Sequence, residues 1–584
     1  MNAQACWIDG GCADAPILCW YHAPAIPGLC RGAVLLCPPY GHDYLVSYQA
    51  YRMLAEQLAA AGFAVAHIDL QHSGDAADLA ELAQPGVNDQ QLDLIAIWQE
   101  NLRRSAQFLR QQSGSEHVIL AGLRLGASLV ASVAADCQAE ALVLFAPVLQ
   151  GRQYARELLM LKNSNQTGAT GQTEHELAGY YFGPALRQGL SKLNLTKLSS
   201  PSATVYLIPR DDLDGQEADL LQHWPDSNII SLNFPGYAAM LPADAHSSII
   251  PLALWQQLLL QLQQQFALSA VQPARFNGAP GWQGPEFHED LLSWSGLQGI
   301  LTRPKQVQTA DPHRRVVILC NTGANHRVGT HRIAVTIARQ LAAQGHTVLR
   351  FDKSGLGYSR ACRDGSYLNV YADDGVADIQ QTLDFLQQQL GVKQFVLAGI
   401  CSGAYFAYLA ACADQRVNGL ISINQLTYAW HPGDSLEVRV NNAIKSSHFY
   451  RQALFSRSTW RRLLRGQIDY RKILRQMSKR VVKRLRGKLQ LASLKLSGNA
   501  FLLGEVARNL RQLEQRACRV HLVFDAADAG VDLMTEELGR HAVLLRYQTQ
   551  ASLNILRGAD HTFTAIWSQQ ELVDTISTIL SAAD

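Results

Sequence analysis

Two segments of the chain share one pattern, an apolar run followed by Gly-x-Z-x-Gly, where Z is the residue midway between the two glycines. The first segment covers 118–127 and the second covers 396–404. The pattern is typical of a strand that turns sharply into a helix, because the flanking glycines leave room for a tight, strained turn that presents residue Z. Residue Z is Arg124 in the first segment and Cys401 in the second. Only cysteine is a nucleophile, so only the second turn is expected to support nucleophilic catalysis.

The sequence around these turns repeats as well. Apolar runs that read as short buried strands alternate with helical patterns in both halves of the chain. This alternation predicts mostly parallel sheets with helices on both faces, and the fixed spacing predicts a tandem duplication. Three pairs of equivalent residues show the spacing, Cys37 with Cys320 and Asp69 with Asp352 at 283 residues, and Gly122 with Gly399 at 277.

The length of the chain also requires more than one core, because 584 residues exceed what a single core supports. We predict a first domain at 1–265, a linker rich in Gly, Pro and Gln at 266–285, and a second domain at 286–584. His246 and His561, which precede the last helix of each copy, lie 315 residues apart. The second copy is therefore longer, and we assign most of the extra length to a helical cap at about 431–512.

The residues after the second turn follow the order nucleophile, acid, histidine. This is the chain order of the catalytic groups in the α/β-hydrolase fold. Cys401 would be the nucleophile, Asp528 the acid that orients the imidazole, and His561 the group that moves the proton. Asp525 and Asp532 stay open as alternatives for the acid, because they flank Asp528 along the chain. The fold class predicted for the chain is thus two tandem α/β-hydrolase domains.

Ser402 is a competing nucleophile. The residue two positions before it would be Ile400, which fits poorly in a crowded turn. With Cys401 as the nucleophile, the backbone N–H of Ser402 would bind the oxyanion instead. The second donor would be an N–H of the loop that contains Thr322 and Gly323.

The first copy keeps parts of the same arrangement without a nucleophile. His246 precedes its last helix, and Asp212 is the central acid of the matching loop, between Asp211 and Asp214. Two interpretations of Arg124 stay open. It could bind a carboxylate or phosphate, or it could pair with a nearby aspartate in a degenerate pocket. The second interpretation is favoured, so this copy is predicted to be non-catalytic.

Composition sets further bounds. The first residues show no basic segment followed by an apolar one, and no run of about 18 apolar residues occurs, so neither a secretory signal nor a membrane span is expected. The 11 cysteines are scattered without a CxxC pair, which argues against disulfides and zinc and for a reducing compartment. We expect a cytoplasmic protein without a cofactor or metal.

Charge is distributed very unevenly along the chain. The segment 445–495 contains sixteen Lys and Arg residues and one acid, Asp469, although the net charge of the whole chain is only +2. Its apolar residues recur at helical spacing, which predicts basic amphipathic helices. They could form a solvated face, or they could bind an acidic carrier protein, an anionic substrate or an anionic membrane surface. Nucleic acid is not expected, because no known binding module accompanies the charge.

Several motifs resemble known families. The segments 321–332 and 349–352, with the turn at Gly399–Cys401, resemble a hydrolase family found beside exosortase and exopolysaccharide genes. The segments 122–127 and 149–154 are similar to its companion family, in which Arg also occurs at the turn. The Gly-x-Cys-x-Gly turn is also similar to that of dienelactone hydrolases, whose nucleophile is Cys. The resemblance implies a fusion of two α/β-hydrolases and leaves the substrate open.

Two functions are compatible with this sequence. The first is an acyl hydrolase (esterase or thioesterase) or acyltransferase that acts on a small-molecule or carrier-bound acyl group through Cys401, His561 and Asp528. The second is a non-catalytic scaffold that binds an acyl carrier protein or an exopolysaccharide precursor. The reactivity of Cys401 discriminates between them.

Overall fold

A computed structural model describes residues 3–11, 15–79, 92–164, 175–213, 215–306, 315–431, 434, 485, 488–496 and 503–582. Most of the predicted cap at 431–512, and with it most of the basic segment, lies outside these residues. The described residues form two repeats, one on each side of residue 266. No described helix is long and apolar enough to cross a membrane.

The first repeat is built on an eight-stranded sheet with the order β1-β2-β5-β4-β6-β7-β10-β11. Strand β2 pairs antiparallel with β1 and β5, and the remaining strands are parallel. The strands of this repeat are β1 Gln4–Ile8, β2 Ile17–His22, β3 Leu29–Cys30, β4 Ala33–Cys37, β5 Ala64–Ile68, β6 Val118–Leu123, β7 Ala139–Phe145, β8 Glu176–Leu177, β9 Tyr180–Tyr181, β10 Thr204–Ile208 and β11 Ile229–Ser231.

Helices cover both faces of this sheet, so every residue along a central strand such as β4 is buried, on one face or the other. In β4, Val34 and Leu36 pack into one apolar cluster, and Leu35 packs into the cluster on the other face. This is why the central strands read as continuous apolar runs. The helices are α1 His42–Ala60, α2 Leu94–Ser113, α3 Leu125–Ser132, α4 Gly151–Ser164, α5 Pro184–Lys192, α6 Gln216–His223, α7 Tyr237–Met240 and α8 Leu252–Gln265.

The second repeat has a nine-stranded sheet with the order β13-β14-β15-β17-β16-β18-β19-β20-β21. Strand β12, Ser269–Ala270, pairs with β3 instead and lies outside this sheet. The other strands are β13 Gly281–Gln283, β14 Phe287–Trp294, β15 Leu297–Pro304, β16 Arg315–Cys320, β17 Thr347–Asp352, β18 Gln394–Ile400, β19 Val417–Ile423, β20 Arg519–Asp525 and β21 Ser552–Leu556. The labelled helices are α9 Ile333–Ala343, α10 Gly375–Leu390, α11 Ser402–Ala413, α12 Glu505–Gln515, α13 Ala529–Leu538, α14 Val543–Arg546 and α15 Ile566–Ser581, and residues 488–496 are also helical.

The two sheets have the same strand order once the extra edge strand β13 is set aside. The predicted fold class of two tandem α/β units with mostly parallel sheets is confirmed. Gly62 and Gly345 follow equivalent helices at φ 95° and 102°, the left-handed backbone that glycine adopts without a steric penalty. The segment predicted as a linker is folded onto both repeats, because Ala279 bonds to Trp7 and β13 joins the second sheet.

The repeats pack against each other through a mixed apolar and charged surface. Trp20 of the first repeat stacks on Tyr358 of the second with ring centroids 3.9 Å apart. Beside this pair, the buried Asp75 forms ion pairs with Arg327, at 2.6 Å, and with Arg350. Burial opposes the charge of Asp75, but the two arginines lower its pKa to about 2.

Contacts across this surface are reciprocal. Arg52 of α1 donates to the carbonyl oxygens of Gly357 and Ser359 in the turn after β17. Arg332, just before α9, donates to the carbonyl oxygens of Gly74 and Ala76 in the turn after β5. Each repeat therefore holds the equivalent turn of the other, as the halves of a twofold dimer do.

Candidate active site

The turn between β18 and α11 places Cys401 at the carboxyl end of the second sheet. Cys401 has φ 56° and ψ −114°, a conformation that is rare outside glycine and typical of a strained functional position. A Cβ on Gly399 would lie 2.3 Å from the backbone of Gly403, and one on Gly403 would lie 2.6 Å from the carbonyl oxygen of Cys320. The strain belongs to Cys401 and not to Ser402, which is the first residue of the helix.

His561 and Asp528 meet beside this turn. Nδ1 of His561 lies 2.6 Å from Oδ2 of Asp528, whose side chain is only 4% exposed. The other carboxylate oxygen of Asp528 accepts a hydrogen bond from the N–H of Gly530 at the start of α13, so both oxygens are held. A carboxylate fixed in this way orients the imidazole and stabilises its protonated form.

The pKa of the His561 imidazole also depends on Cys401. Burial alone would lower the pKa of His561, but the electrostatic interaction with Cys401 and the hydrogen bond to Asp528 raise that pKa well above its usual value. Nε2 of His561 is buried without a well-formed hydrogen bond to any described residue. The arrangement favours the protonated form of the His561 imidazole beside the turn that carries Cys401.

The alternative acids are placed differently. Asp525 accepts a hydrogen bond from the N–H of Ala527, and burial raises the pKa of its carboxyl group. Asp532 lies within the first turn of α13. In the described structure, Asp528 is the one of the three acids that hydrogen-bonds to His561.

Asn424 is a site residue that sequence reasoning missed. It follows β19 at φ 45°, and its Nδ2 donates to the carbonyl oxygen of His561 at 2.8 Å. Its Oδ1 accepts from the N–H of Asp525, so one amide ties two loops of the site together. The first repeat has Ala146 at the equivalent position, with φ 48°. The sequence did offer one signal for Asn424, because it is an amide residue directly after β19, the strand that pairs with the strand leading to Cys401.

The proposed oxyanion donors are only partly available. The N–H of Gly323 donates to Oγ of Ser402 at 2.7 Å, so it is engaged within the protein. Ser402 is fully buried, which also separates its hydroxyl group from solvent. Thr322 lies in the same loop, where its carbonyl oxygen accepts from Asn325. The structure brings all three residues to Cys401, but Gly323 departs from the expectation of a free donor.

Arg124 occupies the equivalent turn of the first repeat at φ 53° and ψ −118°. It is 91% buried, ion-paired with Asp43 and Glu157 at 3.6 Å, and packed over the rings of Tyr154 and Tyr237. This is the geometry of the second interpretation, an arginine paired inside a degenerate pocket.

The other predicted residues of that pocket do not form an acid–histidine pair. Asp212 is exposed and forms a bidentate ion pair with Arg210. His246 lies in a single turn, Ala245–Ser247, and makes no hydrogen bond or ion pair with Arg124 or Asp212 among the described residues. Asp214 lies outside the described residues.

Comparisons with known proteins concern each repeat separately. Residues 315–492 match a family model described as alpha/beta hydrolase fold, and residues 30–185 match one described as serine aminopeptidase, S33. No curated protein matches the chain. The exosortase-associated and dienelactone hydrolase resemblances stay predictions.

Solved structures similar to the chain include three that align with less than half of it. Est1E from Butyrivibrio proteoclasticus is 16% identical, with 44% of this chain and 99% of that chain covered and a TM-score of 0.31. An α/β serine hydrolase without a lid from Xanthomonas campestris is 16% identical, with 45% and 93% covered and a TM-score of 0.29. Proline iminopeptidase from Mycobacterium smegmatis is 14% identical, with 45% and 98% covered and a TM-score of 0.32.

Proposed function

Because both repeats are α/β-hydrolase domains, we propose that the chain is an acyl hydrolase or acyltransferase that acts on an ester or thioester, with all of the chemistry in the second repeat. The observation that carries the proposal is the hydrogen bond between His561 and Asp528, together with the effect of Cys401 on the pKa of that imidazole. A held carboxylate, an imidazole of raised pKa and a partly exposed thiol support the order acid, histidine, nucleophile that covalent catalysis requires.

The reaction would proceed in two steps. The Cys401 thiolate attacks the acyl carbon, and the C–O or C–S bond to the leaving group breaks as His561 gives its proton to the departing oxygen or sulfur. This leaves a thioester between the acyl group and Cys401, with neutral His561. A water or an acceptor hydroxyl, thiol or amine then attacks that thioester, His561 takes the proton, and the thiolate leaves as the ion pair re-forms.

The N-terminus of α11 supports stabilisation of the oxyanion. The N–H of Ser402 belongs to the first residue of that helix, where backbone donors are unpaired and the helix dipole favours negative charge. The second donor would be Thr322, or Gly323 once its bond to Ser402 Oγ opens.

Selective alkylation tests the nucleophile. Cys401 and Cys412 are the two described cysteines that are partly exposed, and burial raises the pKa of Cys412. Iodoacetamide should therefore label Cys401 much faster than Cys412 in the native protein, and His561→Ala should slow the labelling of Cys401 without changing that of Cys412. Equal labelling of the two cysteines would contradict the proposal.

Acyl-adduct detection tests the chemistry. After exposure to p-nitrophenyl acetate and a panel of acyl thioesters, intact-mass measurement should show one acyl group on the wild type and none on Cys401→Ala. Cys412→Ala is the matched control and should keep the adduct. An inert Cys401 together with tight binding of an acidic protein would instead favour the scaffold function.

The basic segment 445–495 supports a carrier-bound acyl group as the substrate, because sixteen cations and one acid would attract an acidic carrier. This support comes from the sequence alone. Reversing the charges of Arg461, Arg462 and Arg465 should then spare activity on small esters and abolish it on carrier-bound acyl groups. An equal loss on both substrates would contradict a carrier.

A further inference from the structure

The loop that carries His561 leads directly into α15, and this helix has no capping side chain of its own. Its N-cap residue is Ala565, which offers no side-chain acceptor to the first backbone N–H groups. Such N–H groups need partners, and in most helices a Ser, Thr, Asp or Asn at the N-cap supplies one.

The missing acceptor comes from the other repeat. Oε2 of Glu176, in strand β8, accepts a hydrogen bond from the N–H of Ile566, the first residue of α15, at 3.0 Å. The two residues are 390 positions apart, and Glu176 is fully buried. Its carboxylate therefore lies at the N-terminus of α15, where the helix dipole favours negative charge. The residue that it binds, Ile566, is five residues after His561 in the chain.

The turn of the same hairpin, β8–β9, touches the histidine loop directly. A Cβ on Gly179 would lie 2.2 Å from the carbonyl oxygen of Thr564 and 2.8 Å from the Cβ of His331. Gly179 has φ 77°, and Ala178 before it has φ 46°. The backbone of Gly179, which has no side chain, therefore lies directly against that loop. The hairpin is tied to its own repeat by the hydrogen bond from Tyr40 to the carbonyl oxygen of Tyr181.

The first repeat also holds the end of the loop that carries the oxyanion donors. The ring of His331 lies edge-on to that of Tyr180, and Nε2 of His331 lies 3.3 Å from Oγ1 of Thr564. The next residue, Arg332, forms an ion pair with Asp78 of the first repeat at 2.5 Å. The first repeat therefore contacts the loop that carries His561 and the loop that carries the proposed oxyanion donors Thr322 and Gly323.

We infer that Glu176 is a positioning residue for His561, and that the first repeat completes the active site of the second instead of being a passive remnant. This inference rests on the proposed function. Glu176 fixes the start of α15, and α15 fixes the loop on which the imidazole is held by Asp528. Misplacement of a catalytic group by about 1 Å costs up to about a hundredfold in rate.

Hydrogen exchange in the full-length protein tests the inference without relying on activity. Glu176→Ala should speed exchange of the amides in residues 559–568, and Glu176→Gln should restore protection because its amide oxygen still accepts the Ile566 N–H. Glu140→Ala is the control, because Glu140 lies in the same repeat and pairs only with the exposed His117 among its described hydrogen bonds. Unchanged exchange at 559–568 in Glu176→Ala overturns the inference.

Kinetics test the link to catalysis. With p-nitrophenyl acetate, Glu176→Ala should lower kcat about ten- to a hundredfold with little change in KM, and should move the alkaline limb of the pH profile that reports His561. Faster exchange with unchanged kcat would overturn the positioning role. A wild type in which Cys401 is unreactive would refute the proposed function, and the exchange result would still decide whether Glu176 holds the loop.

A second pair of variants guards against a general folding defect. Gly179→Ala and Gly215→Ala both put a side chain on a left-handed glycine, at φ 77° and 90°. Only at Gly179 does the new Cβ meet the histidine loop, because Gly215 has open space around it. Gly179→Ala should reproduce the effects on exchange and kcat, and equal effects of the two variants would overturn the inference.

Discussion

At the scale of the residue, the backbone at the sharp turn is almost independent of the side chain it presents. Arg124 and Cys401 differ by only a few degrees in φ and ψ. The packing of the flanking glycines sets that conformation, so residue Z can differ between the repeats while the turn stays intact. What separates the repeats is the surroundings: Cys401 has Asp528 and His561 beside it, and Arg124 has carboxylates and tyrosines.

The Asp528–His561 hydrogen bond gives a prediction for the pH profile. Asp528→Asn should lower kcat/KM by about 10²- to 10⁴-fold, because the imidazole loses its orienting carboxylate. The pKa of His561 is raised in part by Asp528, so the variant should also move the alkaline limb of the profile to lower pH. Rates measured between pH 5 and 10 would show this. Asp532→Asn is the control, and a comparable shift in it would reassign the acid.

At the scale of the element, the strand–turn–helix unit depends on close backbone contact. The distances around Gly399 and Gly122 are nearly the same, since a Cβ on either would lie 2.3–2.4 Å from the backbone of the second glycine of its turn. The helix that starts after each turn can only approach the sheet in the absence of these side chains. The unit can therefore be recognised from sequence, because glycine is required at two fixed positions, two residues before and two residues after residue Z.

Gly399→Ala should displace α11 from the sheet. We expect a loss of at least about 1–3 kcal/mol in the free energy of unfolding of the second repeat, together with loss of the fast alkylation of Cys401. Denaturant unfolding and iodoacetamide kinetics measure the two effects. Gly504→Ala is the matched control, because Gly504 has φ −61° and open space at its Cβ position. Normal alkylation of Gly399→Ala would contradict this account of the turn.

At the scale of the whole molecule, buried charge holds the two repeats together. Arg350 pairs with Asp75 of the first repeat and with Glu289 of its own, and all three side chains are fully buried. Such a network contributes little net energy when complete, but removing one partner leaves a buried charge uncompensated. The network therefore penalises any packing of the repeats that separates Asp75 from its arginines.

Asp75→Asn should lower the free energy of unfolding by about 3–5 kcal/mol near neutral pH. The lowered pKa of Asp75, about 2, means that its stabilising contribution is complete above about pH 4 and is lost as the pH falls through 2. The difference between wild type and variant should therefore shrink from pH 4 towards pH 2. Denaturant titrations measure it, with the exposed Asp136, paired with Arg103, as the control through Asp136→Asn. A difference that persists at pH 2 would contradict the role of the charge.

Sequence reasoning reached the features that depend on local pattern. The central strands are apolar on both faces, and the turn glycines sit at fixed spacing, so β4, β16 and the two turns could be predicted. The partners of Asn424 and Glu176 could not be predicted, because each partner, His561 or Ile566, lies far away in the chain. The reciprocal arginine contacts were missed for the same reason, since a single arginine in a sequence does not indicate which carbonyl groups it will bind.

The reciprocal packing of the repeats has a consequence for how such a protein can change. In a dimer of identical chains every substitution appears in both subunits, so a change that destroys one reactive centre destroys the other. Joining the two copies in one chain removes that constraint. One copy can then lose its nucleophile and adapt its hairpin to its neighbour, while the other keeps the reaction. Arg124 and Glu176 in the same half of the chain fit such a division of labour.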